Sequence, residues 1–280
     1  MKSDNISANE DILIEMALME DLDGTGDVTS LAIFDDETDE FHLMSKDEGV
    51  LCGRRLFEKV MAKVDPSIQV HFYFSDGDKI AKGDCVADVS GKVLSVLQGE
   101  RTAINFLSHL SAIATKTARL VEAAEGKVRI LDTRKTLPGY RLLQKYAVRC
   151  GGGENHRIGL FDMVMIKDNH HDAAGGITAA VEKVRRKWGD RYAVEVEARN
   201  LNEVREALNN GVDRIMFDNM SDAEMKEAAA EVNGRCETEA SGNMNRDRLE
   251  RVKLTGVDFV SFGELTHTVE AFDFSLRKTK

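Results

Sequence analysis

Between Asp132 and His171 the chain gathers Arg134, Lys135, Arg141, His156, Arg157 and Lys167 around a run of three glycines, Gly151, Gly152 and Gly153. That window holds 7 Lys and Arg against 4 Asp and Glu, a net of +3, while the rest of the chain holds 31 against 45, a net of −14. A surface shaped only for solubility intersperses its charges, so one cationic island in an acidic chain reads as a pocket for an anion. Guanidinium groups such as Arg134, Arg141 and Arg157 grip carboxylates or phosphates through paired hydrogen bonds, and Lys135 and Lys167 add point charges. The overall charge of −11 argues against nucleic acid or an anionic membrane as partner, because either demands a broad basic face.

The elements that must position these groups can be read from periodicity. Ser7-Ala8-Asn9-Glu10 has the form of a helix capping box, followed by apolar residues at helical spacing until Asp23-Gly24. Residues 41–51 read as a strand and 54–64 as a helix, and Val70, Phe72 and Phe74 alternate with polar neighbours as one-face-buried strands do. The first hundred residues thus form a small α+β unit. A long helical pattern covers 100–124. Beyond it, short candidate strands at 128–131, 163–166, 192–196, 214–217, 236–240 and 257–260 alternate with helical patterns at 140–149, 178–188, 201–209, 222–232 and 246–254. Strand-helix alternation predicts a parallel sheet with helical crossovers, doubly wound or barrel-like, with six visible strands.

The chemistry resides in the residues just past the end of each strand. Asp132 and Thr133-Arg134-Lys135 come after the first and Lys167-Asp168-Asn169-His170 after the second. Glu197 succeeds the third, Asp218-Asn219 the fourth, Ser241-Gly242 the fifth, and Ser261 with Gly263 the sixth. In a parallel α/β fold all carboxyl ends point to one side, so these residues converge on one site. Each also has an ordinary alternative: a solvated loop charge, a helix cap, a tight turn, or, for the three glycines, the left-handed end of a helix. His170-His171 reads as loop rather than metal site, since adjacent side chains diverge. Taken together, the turns at Ser241-Gly242 and Gly263 can offer backbone N–H groups to a phosphate, and Glu197 and Asp218 can hold Mg²⁺ through water or accept from ribose hydroxyls. An Mg²⁺-dependent reaction of a sugar phosphate with a carboxylated co-substrate fits this set.

The N-terminus lacks an apolar targeting core, no stretch nears the ~18 apolar residues of a membrane span, and Cys52, Cys85, Cys150 and Cys236 form no C-x-x-C pair. The expectation is a cytoplasmic protein with free thiols.

Several motifs, in order and over nearly the whole chain, carry a resemblance. They are Glu20-Asp21 with Gly26-Asp27-Val28-Thr29-Ser30, the segment from Glu100 to Leu107, Asp132 to Arg141, Gly151 to Arg157, Ile166 to His170, Phe217-Asp218-Asn219-Met220, Glu239-Ala240-Ser241-Gly242 and Leu265-Thr266-His267. The chain resembles quinolinate phosphoribosyltransferase, the decarboxylating nicotinate-nucleotide pyrophosphorylase. The resemblance implies an open seven-stranded α/β barrel with an N-terminal α/β sandwich domain: residues 1–110 for the sandwich, rejoined by 270–280, and 111–269 for the barrel. It implies a homodimer, with room for higher assembly, in which Arg101 crosses to the partner's site and joins Arg134, His156, Arg157 and Lys167 around quinolinate. Lys135 and Lys167 would neighbour diphosphate and substrate, Glu197 and Asp218 the ribose and Mg²⁺, and Ser241, Gly242, Gly263 and His267 the 5-phosphate of phosphoribosyl pyrophosphate. Asn243, Ala112, Leu137 and His171 depart from the usual pattern, and none removes a charged candidate.

The reaction implied is phosphoribosyl transfer to the ring nitrogen of quinolinate with loss of CO₂, giving nicotinate mononucleotide and pyrophosphate for NAD biosynthesis, with Lys135, Lys167, Glu197 and Asp218 as the catalytic set. Rival readings are a relative with another acceptor, a Schiff-base sugar-phosphate aldolase using Lys167, and a non-catalytic sensor.

Overall fold

The chain divides into two compact units, Met1–Ala118 with Leu137–Gly152 and Val269–Lys280, and Arg119–Thr136 with Gly153–Thr268. The structure, a computed structural model, describes residues 3–278, and for residues 3–8 the backbone alone.

The first unit is built on an antiparallel sheet of four strands in the order Phe274–Lys278, Thr38–Ser45, Cys85–Lys92, Gln69–Phe72. Alternation decides which side is core: Phe41, Leu43, Ala87 and Val89 are buried, and His42 and Asp88 between them stay part-exposed. Helices Arg54–Val64 and Val93–Ala124 supply Leu56, Phe57, Val60, Leu107 and Leu110 to that core. The opening helix runs Ser3–Leu22, so it begins four residues before the capping box expected at Ser7, whose side chain lies outside the described residues. The apolar run at 41–51 resolves into Thr38–Ser45 and a two-residue strand Gly49–Val50, and the long helix starts at Val93 rather than Glu100.

The second unit is a parallel sheet of six strands in the order Arg129–Leu131, Phe259–Ser261, Glu237–Ser241, Arg214–Asp218, Val194–Ala198, Val164–Ile166. Each coincides with a run predicted from sequence, displaced by one or two residues. The seventh position of the expected open barrel is a single parallel bridge, Glu154 beside Leu131. Along Val194–Ala198 the alternation is of valine with glutamate, and all five residues are buried. A strand covered on both faces reads as continuous burial, and here one of its faces is acidic. Helices Ile177–Trp188, Leu201–Asn209, Asp222–Val232 and Arg246–Val252 come after the strands as predicted. Their starts are chemically marked: Asn200, Ser221 and Asn245 each accept hydrogen bonds from backbone N–H groups of the first turn.

His170 and His171 correct the sequence reading: they lie in a helix, Asp168–Ala174, not a loop. His170 Nδ1 accepts the Lys167 N–H at 2.9 Å, so a histidine serves as capping side chain, a role that propensity assigns to Glu or Gln. The glycine run ends helix Arg141–Cys150, with Gly152 left-handed at φ 83°. Among the described residues no helix is long and apolar enough to cross a membrane.

Candidate active site

At the carboxyl ends of the parallel strands the second unit encloses a cavity of about 780 Å³. Thr133, Arg134 and Lys135 enter it from the segment after Arg129–Leu131, Lys167 from the end of Val164–Ile166, and Glu197 and Asp218 from within their strands. Ser241, Gly242, Ser261, Gly263 and His267 also line it. Eleven of the twelve candidate side chains and turns named from the sequence therefore line one cavity or its rim; the twelfth, Arg101, does not. It is exposed on helix Val93–Ala124 and borders a smaller cavity of the first unit with Glu20, Asp21 and Tyr140. Arg141, the first residue of its helix, is likewise absent from the lining.

Arg157 Nη1 donates to the Met163 carbonyl at 3.2 Å, and among the described residues neither Arg134 nor Arg157 forms an ion pair. Arg134 Nε is buried with no hydrogen-bond partner. Burial, and after it the neighbouring Arg134 cation, lower the Arg157 pKa, against weaker attraction from Glu195 and Asp162, so two like charges are kept together with no acid in ion-pair contact. Such a pair is an unfilled demand for negative charge, met by an anionic ligand. Lys167 differs, because its Nζ donates to Glu197 Oε2 at 2.8 Å.

His156 belongs to a buried trio, and the sequence reading missed its two acidic partners. Glu195 and Glu239 are wholly buried, and His156 Nε2 stands 3.0 Å from the first and 3.3 Å from the second. Burial alone would lower the pKa of His156; the two carboxylates outweigh it and raise it to about 9. Burial, then repulsion from Glu239, pushes Glu195 up to about 7. Arg214 Nη1 adds a weaker contact to Glu239 at 3.5 Å. Asp132, fully buried, aims the segment above: its Oδ1 accepts the His156 N–H at 2.9 Å and its Oδ2 the Asn155 amide at 2.6 Å. The sequence signal for the acids was weak: Glu195 alternates with valine in Val194–Ala198, where an unpaired acid would be prohibitively desolvated, while Glu239 stands in the polar strand Glu237–Ser241.

The two turns are tight for steric reasons. Gly242 has φ 91°, and a Cβ there would lie 2.2 Å from Asn219 Oδ1. A Cβ on Gly263 would lie 2.9 Å from Lys135 Cδ and 3.1 Å from the His267 ring. Asn243, where a second glycine was expected, takes φ 49°, a left-handed geometry that asparagine tolerates. Its amide donates to Asn219 Oδ1 at 3.3 Å, and Arg248 clamps the Gly242 carbonyl at 2.6 Å.

Glu197 and Asp218 offer only oxygen donors. The described residues contain no close trio of metal ligands that includes either one. That donor chemistry suits Mg²⁺, which takes one or two carboxylates and completes its shell with water and substrate phosphates.

The sequence matches two family profiles, the quinolinate phosphoribosyl transferase N-terminal domain over residues 27–111 and the C-terminal domain over residues 113–277. It is 43% identical to a quinolinate phosphoribosyltransferase [decarboxylating] of Nicotiana tabacum, covering 95% of this chain and 81% of that protein. It is 40% identical to a probable nicotinate-nucleotide pyrophosphorylase [carboxylating] of Bacillus subtilis, covering 95% and 92%. The solved structure of the nicotinate-nucleotide pyrophosphorylase from Francisella tularensis superposes with a TM-score of 0.94 at 40% identity, covering 97% of this chain and 96% of that one.

Proposed function

Since the chain belongs to the quinolinate phosphoribosyltransferase family, we propose that the barrel cavity is where it joins phosphoribosyl pyrophosphate to quinolinate and releases CO₂. The reaction yields nicotinate mononucleotide, pyrophosphate and CO₂ and serves NAD biosynthesis. The observation that carries the assignment of the pocket is the Arg134–Arg157 pair, two guanidiniums that form no ion pair among the described residues and suit a ligand that brings two carboxylates.

The ring nitrogen of quinolinate attacks the anomeric carbon as the bond to diphosphate breaks. Positive charge develops on the ribose and negative charge on the departing diphosphate. Glu197 and Asp218, at adjacent strand ends, stabilise the first. Lys135, whose side chain packs against Gly263, stabilises the second. Both carboxylates would also hold Mg²⁺ through water, and the ion would supply charge neutralisation for the diphosphate. Gly242, Gly263, Ser241 and His267 receive the 5-phosphate on our reading. Once alkylated, the pyridinium accepts the electron pair left when the adjacent carboxylate departs as CO₂, and a proton then replaces it on carbon. The protein's part in that step is to orient and desolvate the carboxylate, with Arg134, Arg157 and the His156 segment on its two sides.

Lys167 fits this role better than that of a Schiff-base nucleophile. An amine that attacks a carbonyl is activated by an apolar pocket or a neighbouring cation, whereas Lys167 is 46% exposed and paired with Glu197. We further propose a cytoplasmic homodimer, with Arg101 completing the partner's quinolinate site. The dimer reading is supported by the exposure of Arg101 on its helix.

Incubation with quinolinate, phosphoribosyl pyrophosphate and Mg²⁺, with detection of nicotinate mononucleotide and CO₂, tests the reaction; absence of both products overturns it. Nicotinate as acceptor should be turned over poorly, and equal rates would remove the two-carboxylate argument. Mixing inactive Arg101→Ala and Lys135→Ala chains should restore part of the activity if Arg101 acts across subunits, and no recovery would exclude that arrangement.

A further inference from the structure

The first unit carries a donor set that the transferase chemistry does not use. On the part-exposed face of its sheet, His42 and Asp88 are cross-strand partners, with His42 Nδ1 2.6 Å from Asp88 Oδ1. Cys85 lies three residues before Asp88, a spacing that in a regular strand puts the two side chains on opposite faces. A β-bulge between Leu43 and Met44 changes that: Leu43 pairs with Ala87 but Met44 pairs with Cys85, so Val86 is the extra residue. Val86 and Ala87 are both buried, the alternation is broken, and Cys85 turns to the His42 face. There its Sγ stands 3.6 Å from Asp88 Oδ1. Bulges of this kind re-aim side chains at sites.

We propose that His42, Cys85 and Asp88 form a binding site for a thiophilic divalent cation of the zinc class. One nitrogen, one sulfur and one carboxylate oxygen lie within 4.8 Å of one another; the 3.6 Å from Cys85 Sγ to Asp88 Oδ1 matches the separation of two ligands around a tetrahedral ion with bonds of about 2.0 to 2.3 Å, and the His42–Asp88 hydrogen bond must open as the ion takes the place of its proton. The thiolate and carboxylate together balance a 2+ charge, and the sulfur selects against Mg²⁺ and Ca²⁺. The second oxygen of Asp88 is held by the Tyr73 hydroxyl, the outer contact that fixes a ligating carboxylate. Water takes the fourth position. The site shares no residue with the barrel cavity and does not depend on the reaction that occurs there.

The test uses the full chain, stripped with chelator and titrated with Co²⁺. A saturable near-ultraviolet thiolate-to-metal band reaching one equivalent per chain, and displaced by Zn²⁺, is the expected result. Cys85→Ser should abolish the band, and His42→Ala should weaken binding by about tenfold or more, while both variants keep phosphoribosyl transfer, which serves as the check on folding. Absence of a band, its survival in Cys85→Ser, or unchanged affinity in His42→Ala would each overturn the site.

Discussion

Replacing His156 by leucine should destabilise the barrel unit in a way that depends on pH. The buried ring stands 3.0 and 3.3 Å from two carboxylates that are themselves closed off from solvent, so its removal leaves them facing each other with only Arg214 nearby. Removing one partner of a buried ionic group typically costs about 3 to 5 kcal/mol. The acids can escape part of that by taking up a proton, and each unit of pKa shift is worth about 1.4 kcal/mol, so moving from pH 8 to pH 5 is enough to erase most of the deficit. The sign is set by the shifts in the intact protein. Glu195 is raised from 4.5 to about 7, and His156 from 6.5 to about 9. Each therefore contributes stability that is complete below its unfolded value, 4.5 for Glu195 and 6.5 for His156, and is lost as pH rises through its folded one. The intact barrel should accordingly weaken from about pH 4.5 up to about pH 9, first through Glu195 and then through His156, and His156→Leu should fall further. Urea unfolding monitored through the single tryptophan, Trp188, which lies in this unit, measures both at pH 5 and pH 8. Adding Glu195→Gln to the leucine variant should recover stability at pH 8, because the two changes act on one network. A loss under about 1 kcal/mol at pH 8, or the same loss at both pH values, would refute the ionic account of the trio.

Arg157→Ala should weaken quinolinate binding by about 3 to 5 kcal/mol, and a calorimetric titration with unchanged affinity would remove Arg157 from the site. For Asp218→Asn the fall in turnover should exceed the fall in affinity for either substrate, since its charge counts most as the anomeric bond breaks; unaltered turnover at saturation excludes the role. Gly242→Ala forces a Cβ to within 2.2 Å of Asn219 Oδ1 at φ 91° and should raise KM for phosphoribosyl pyrophosphate while leaving quinolinate affinity nearly unchanged. Equal loss for both substrates would mean that the turn shapes the whole cavity rather than the phosphate end.

Individual elements show where sequence reading succeeds and where it stops. The strand Arg214–Asp218 was legible because a short apolar run between amphipathic helices admits few folds, and Glu237–Ser241, polar in sequence, was legible from its place in the same strand-helix alternation. The helix starts at Leu201, Asp222 and Arg246 were legible from helical periodicity, and the caps Asn200, Ser221 and Asn245 that mark them are contacts between residues two or three apart. The helix at Asp168–Ala174 was not, because histidine is an uncommon capping side chain and two adjacent histidines carry no helical period. Nor was the bulge in Cys85–Lys92, since a one-residue slip is a property of two paired strands and not of either alone.

The sequence by itself determined the cationic character of the Asp132–His171 segment, the strand-helix alternation that gathers Lys135, Lys167, Glu197, Asp218 and Gly242 at one end of a sheet, and, through its motifs, the family. These are local or one-dimensional properties: residue type, spacing and period. The tertiary structure alone decided that, among the described residues, Arg134 and Arg157 form no ion pair while Lys167 is paired with Glu197. It alone decided that Glu195, Glu239 and His156 share one buried charge cluster, and that Cys85 faces His42. The reason is physical. Ionic partnership and burial depend on distances between residues far apart in the chain and on how much water is excluded between them, and both quantities come into being only when the strands are in register.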